Sequence, residues 1–129
     1  MGFFKRSGGN KPEETKAVGQ AAVEPRHVTG EEFESVVLQA ELPVVVDFWA
    51  EWCGPCHAIA SAVAQLAREY EGRVLVTKVN ADDYPEILMN YGIMGIPTLI
   101  YFKGGKEVER IVGLNNYGTL KNKLERVLA

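Results

Sequence analysis

The sequence predicts an α/β fold, a central mixed β-sheet flanked by helices on both faces. Three observations carry that expectation. Two short apolar runs, residues 44–50 and 74–79, read as strands covered on both sides. Between them Ile59, Val63, Leu66, Ala67 and Tyr70 recur at helical spacing. A strand–helix–strand crossover this short implies parallel pairing. Finally, residues 98–102 and 108–112 flank Gly104-Gly105, the chemistry of an antiparallel hairpin. Parallel pairs early and an antiparallel pair late make the sheet mixed.

Taken in order, residues 1–25 read as a flexible N-terminal extension. They hold four glycines, Pro12 and Pro25, charges of both signs and almost no apolar periodicity. The domain is expected over 26–129. Thr29-Gly-Glu-Glu32 is a capping box, a hydroxyl and a carboxylate three residues apart that can each accept a backbone N–H. Phe33, Val36, Val37 and Ala40 follow it at helical spacing. The strand over 44–50 comes next, then the crossover helix, which Gly72 stops. After the strand over 74–79, a short helix is expected near 84–91. The hairpin follows, and Leu120, Leu124, Val127 and Leu128 mark a closing amphipathic helix capped by Asn115 or Asn116.

Composition narrows the function. The chain has 129 residues and 47% apolar content, enough for one core without metal or disulfide staples. No apolar run approaches the ~18 residues that span a bilayer. A net charge of −3 argues against binding nucleic acid by phosphate neutralisation. Residues 1–6 place two aromatics before Lys5 and Arg6 without a following apolar stretch, so they do not read as a secretory signal. Gly2 has Arg6 where a myristoylation pattern wants Ser or Thr. The expected compartment is the cytoplasm, where thiols stay reduced.

Chemistry concentrates at Cys53-Gly-Pro-Cys56, where the first strand ends and the crossover helix begins. Unpaired N–H groups and the positive end of the helix dipole favour a thiolate there. Pro55 suits a first helical turn. The spacing lets Cys53 attack a disulfide and Cys56 resolve the mixed intermediate. Two other readings compete. Cys53 to His57 also spells a c-type haem attachment site, with Met89 or Met94 as distal ligand, but that chemistry goes with export. Zinc would need four ligands, and His27 and His57 stand at unhelpful spacing, so no metal is expected.

Asp47 lies inside an otherwise apolar strand. Either it faces water at a strand end, or it is a buried base behind the cysteines with a raised pKa. Lys78 occupies a matching place in the neighbouring strand. The residues alone leave open whether the two share a face. Pro97 precedes the third strand, where a proline is ordinarily a strand start or an edge residue.

Val46-Asp-Phe-Trp-Ala-Glu-Trp-Cys-Gly-Pro-Cys56, with Tyr91-Gly-Ile-Met-Gly-Ile-Pro-Thr98 and Val112-Gly113 downstream, resembles the thioredoxin family over roughly residues 26–129. The resemblance implies that Cys53 is the exposed nucleophile and Cys56 the resolving thiol. It makes Asp47 the buried acid and Lys78 its partner, with Trp49 and Trp52 packed beside the site. It implies a cis Ile96–Pro97 bond facing the cysteines. An apolar docking surface of Trp52, Gly54, Pro55, Ile96, Pro97, Val112, Gly113 and Leu114 would receive extended substrate segments by strand-like hydrogen bonds. His57 stands where many relatives have Lys. It reads either as an exposed helix residue or as an influence on the thiolate. Ser61 stands where many carry a helix-kinking Pro.

The implied function is reduction of disulfides in protein substrates, with a thioredoxin reductase restoring the dithiol, no bound cofactor, and a monomeric chain. An oxidant or isomerase, or a partner-binding module on the same fold, are the alternatives.

Overall fold

A computed structural model describes residues 23–129. The expected extension, residues 1–25, thus lies outside the described residues except for Val23, Glu24 and Pro25, as do Gly2 and its neighbours. Among the described residues five strands form one sheet: β1 (Arg26–His27), β2 (Val44–Trp49), β3 (Leu75–Asn80), β4 (Thr98–Lys103) and β5 (Lys106–Val112). Their spatial order is β1-β3-β2-β4-β5. β3 pairs parallel with both β1 and β2, whereas β4 pairs antiparallel with β2 and β5. Among the described residues three α-helices join them, α1 (Gly54–Glu69), α2 (Pro85–Asn90) and α3 (Tyr117–Leu128). The α/β architecture and the mixed sheet are as expected.

Two local features differ. β1 carried no sequence signal because it is two exposed polar residues at a sheet edge, too short for any alternation. The segment after the capping box winds as a π-helical turn, Glu34–Leu38, closed by Gln39 N–H donating to the Glu34 carbonyl at 2.9 Å. The box itself forms: Thr29 and Glu32 exchange backbone-to-side-chain hydrogen bonds, both 3.2 Å. The wider winding spreads Val36, Val37 and Leu38 against the sheet. Phe33 meets Phe102 edge-on with ring centres 6.0 Å apart.

Side chains alternate across each strand, so the sheet splits the core in two. Val45 of β2 and Val76 of β3 pack under α1 and α3 with Ile59, Val63, Leu66, Leu120 and Leu124. Val44, Val46 and Phe48 face the opposite layer, with the π-helical turn and Ile87 of α2. Burying side chains of this size stabilises the fold by about 1.5–3 kcal/mol each. Asp47 falls between the two sets, on the Val45 side of β2. It therefore lies under α1, the helix whose first turn carries both cysteines.

A candidate dithiol–disulfide site at the start of α1

Strand β2 delivers the chain to Cys53 through a tight turn, in which Cys53 N–H donates to the Ala50 carbonyl at 3.2 Å. Cys53 is the N-cap of α1: its Sγ accepts the Cys56 backbone N–H at 3.2 Å, and Pro55 fills the first turn. The two sulfurs are joined as a disulfide, with Cα atoms 5.3 Å apart. Cys53 was expected to be exposed, but it is 3% exposed, as is Cys56. The capping role turns its sulfur back over the helix terminus, where Ala50, Trp49 and Ile96 cover the pair. Gly54 and Pro55 are the exposed residues between them.

Opposite the disulfide stands the segment before β4. The Ile96–Pro97 bond is cis, and the Ile96 carbonyl oxygen lies 3.7 Å from Cys53 Sγ. Gly113, at φ +88°, donates its N–H to the Pro97 carbonyl at 2.8 Å. That bond draws Val112 and Leu114, both more than half exposed, to the same side as Ile96. Trp52 completes this surface at 70% exposure. Gly54 and Pro55 thus lie between the cysteines and Ile96 packs on the pair, while Pro97, Val112, Gly113 and Leu114 adjoin Ile96 along the chain or through the Gly113–Pro97 bond.

Asp47 does not face water. It is wholly buried, and neither carboxylate oxygen has a hydrogen-bond partner. Lys78 is its register partner on β3 and lies on the same face, which settles the orientation left open by the residues alone. Burial raises the Asp47 carboxyl to about 6, while the Lys78 ammonium pulls it partly back. Lys78 Nζ also lies 4.9 Å from the centre of the Trp49 ring. His57 is exposed, as the plainer reading held, yet its Nε2 is 2.7 Å from the Glu51 carbonyl. Ser61 lies within α1, which continues to Glu69.

Asp82 was missed. Its carboxylate oxygens accept the Trp52 indole N–H at 3.0 and 3.2 Å, and Asn80 Oδ1 accepts the Asp82 backbone N–H at 2.9 Å. The available signal was positional: Asp82 follows the carboxyl end of a parallel strand, the edge where sites gather in α/β sheets. Among the described residues no group of three or more His, Cys, Asp or Glu converges as a metal site. None of their helices is long and apolar enough to cross a membrane.

A redox-active cysteine pair capping a helix that leaves a parallel β-strand, and facing a cis-proline, defines a thiol–disulfide oxidoreductase. Comparison with known proteins gives the same answer. The thioredoxin family model matches residues 24–126. The chain is 48% identical over 101 residues to Thioredoxin 1 of Nostoc sp., covering 78% of this chain and 94% of that one. Thioredoxin of Synechocystis sp. matches to the same extent. The chloroplastic Thioredoxin M-type of Spinacia oleracea is 42% identical over 110 residues, 85% of this chain and 61% of that one. The chain belongs to the thioredoxin family and is a protein-disulfide reductase acting through Cys53 and Cys56.

Proposed function

We propose a division of labour within that reaction. The Cys53 thiolate attacks one sulfur of a client disulfide, forming a mixed disulfide and expelling the client's other sulfur as a thiolate, which takes up a proton. The Cys56 thiolate then attacks Cys53 Sγ and releases the second client thiolate. Two electrons pass to the client, and the Cys53–Cys56 disulfide remains. Asp47 is the base that receives the Cys56 proton, and Lys78 moderates its basicity. The observation that supports Cys53 as attacker is its capping geometry. The Cys56 N–H points at its sulfur and, with the positive end of the α1 dipole, favours charge there.

Trp52, Gly54, Pro55, Ile96, Pro97, Val112, Gly113 and Leu114 form the docking surface, along which an extended client segment pairs with the backbone before Pro97. A Cβ on Gly54 would meet open space. The chain's own packing does not demand glycine there, and its smallness serves an approaching partner. The electron donor is a thioredoxin reductase, flavin- or ferredoxin-linked. The compartment is the cytoplasm, the chain acts as a monomer, and the working domain is residues 26–129, with residues 1–25 as an N-terminal extension to it. Two chloroplastic relatives from plants keep the same family in an organelle, so a tagged full chain tests the compartment directly.

Cys53→Ser should abolish turnover, and Cys56→Ser should accumulate a covalent mixed disulfide with the client. Trapping through Cys56 in Cys53→Ser instead would reverse the roles. Equilibration against glutathione buffers should give a potential near about −270 mV, the usual poise of thioredoxins. A value above about −200 mV would make the protein an oxidant or isomerase.

A further inference from the structure

His57 immediately follows the cysteine motif, in the first turn of α1, and its ring is turned back toward the approach to the motif. Its Nε2 lies 2.7 Å from the Glu51 carbonyl oxygen, which can only accept, so the proton of this bond sits on Nε2. The ring also meets Trp49 edge-on, with centres 6.4 Å apart at 77°. Trp49 is in turn held by His27, edge-on at 6.0 Å, and by Lys78. Glu51 is two residues before Cys53. A bond from the helix to this carbonyl closes a ring of chain around Trp52 and Cys53. His57 N–H also donates to the Cys53 carbonyl at 3.3 Å, so one residue grips both ends of the turn.

We propose that His57 is a positioning residue: its Nε2–H latches Glu51 to α1 and so holds Cys53 where its sulfur receives the Cys56 N–H. Released from the latch, residues 51–53 gain freedom, and the sulfur spends less time over the helix terminus that stabilises its thiolate. The ring's hydrogen bond goes to the Glu51 carbonyl and not to either sulfur, so it acts through the turn. This rests on the reading that Cys53 is the attacking thiol.

Three variants of the full chain test it. Gln at position 57 presents an amide N–H at the same distance along the side chain as Nε2, whereas Asn presents it too short and Ala not at all. The readout is the rate at which reduced protein is alkylated by iodoacetamide at neutral pH, with the modified thiol identified by peptide mapping. His57→Asn and His57→Ala should react roughly two- to tenfold more slowly than wild type, the range of one net hydrogen bond. His57→Gln should retain the wild-type rate. Turnover of a protein disulfide should fall in kcat/KM by the same factors and in the same order. Loss in all three variants would make the imidazole itself the cause and overturn the latch. Unchanged rates in all three would do so too. Mapping separates the two ideas: alkylation first at Cys56 in wild type would overturn Cys53 as attacker, whatever the variants do.

Discussion

Asp47 stands on the α1 side of β2 with no donor to either oxygen, so its charge is opposed by burial and eased only by Lys78. Its carboxyl moves from the ordinary 3.8 to about 6. Between those values the native state holds a proton that the unfolded chain has released. Stability therefore falls as pH rises through that window, and the full loss is present above it. A shift of this size corresponds to about 3 kcal/mol. Asp47→Asn, neutral throughout, should gain on wild type by about 2–3 kcal/mol between about pH 4 and pH 8, read from urea unfolding at both. A constant difference would mean that burial does not raise this carboxyl. The same variant should reduce client disulfides more slowly at neutral pH, since the proposed division of labour makes Asp47 the base for Cys56. Trp52 poses the opposite case, an exposed indole held by Asp82. Asp82→Ala should raise KM for protein clients roughly two- to fivefold with kcat unchanged, the scale of one exposed hydrogen bond. A fall in kcat alone would place Asp82 in the chemistry rather than in docking.

At the level of elements, legibility followed the burial of apolar side chains. β2, β3, β4 and the three α-helices were all readable, because each presents a buried stripe or run to the core. The hairpin was readable from Gly104-Gly105, and both residues have positive φ, +62° and +80°. Asn116 rather than Asn115 caps α3, accepting the Thr119 N–H at 2.9 Å. What escaped was set by tertiary contact. β1 exists because β3 has a free edge, and Asp82 matters because the fold brings it to Trp52 across 30 residues. The cysteine motif announced the chemistry, but not that both sulfurs are covered. The hairpin offers a paired experiment. A Cβ on Gly104 meets open space, whereas one on Gly105 falls 2.6 Å from the Leu38 carbonyl oxygen at the end of the π-helical turn. Gly104→Ala should cost about 1–2 kcal/mol for the left-handed backbone alone. Gly105→Ala should cost clearly more in the same thermal or urea titration. Equal losses would mean that the π-helical turn yields to the added methyl.

Over the whole molecule, reaction and fastening occupy opposite ends of α1. Its sixteen residues span about 24 Å from the cysteines to Glu69. At the far end α3 closes on it: the Tyr70 hydroxyl donates to Glu125, Tyr117 to Glu69, and Arg73 lies 5.0 Å over the Tyr70 ring. α3 is also tied to the sheet, for Tyr101 donates to the Leu120 carbonyl at 2.9 Å and Lys103 to the Val127 carbonyl at 2.8 Å. Helix α1 is thus clamped where nothing reacts, and its first turn is left to the cysteines and their clients. Burial, then Glu125, raises the Tyr70 hydroxyl from 10.0 to about 12. The native state keeps that proton when the unfolded chain has lost it. The stabilising contribution is therefore complete below about pH 10 and is lost as pH climbs through about 12. Tyr70→Phe should lower stability at neutral pH by about 1.5–3 kcal/mol, the range for a hydrogen bond to a carboxylate. It should also flatten the alkaline limb of the unfolding profile. The reduction potential of the Cys53–Cys56 pair should not move, because the change lies at the other end of the helix. A shifted potential in Tyr70→Phe would show that the clamp and the redox pair are coupled through α1, and that the two ends of the helix do not act independently.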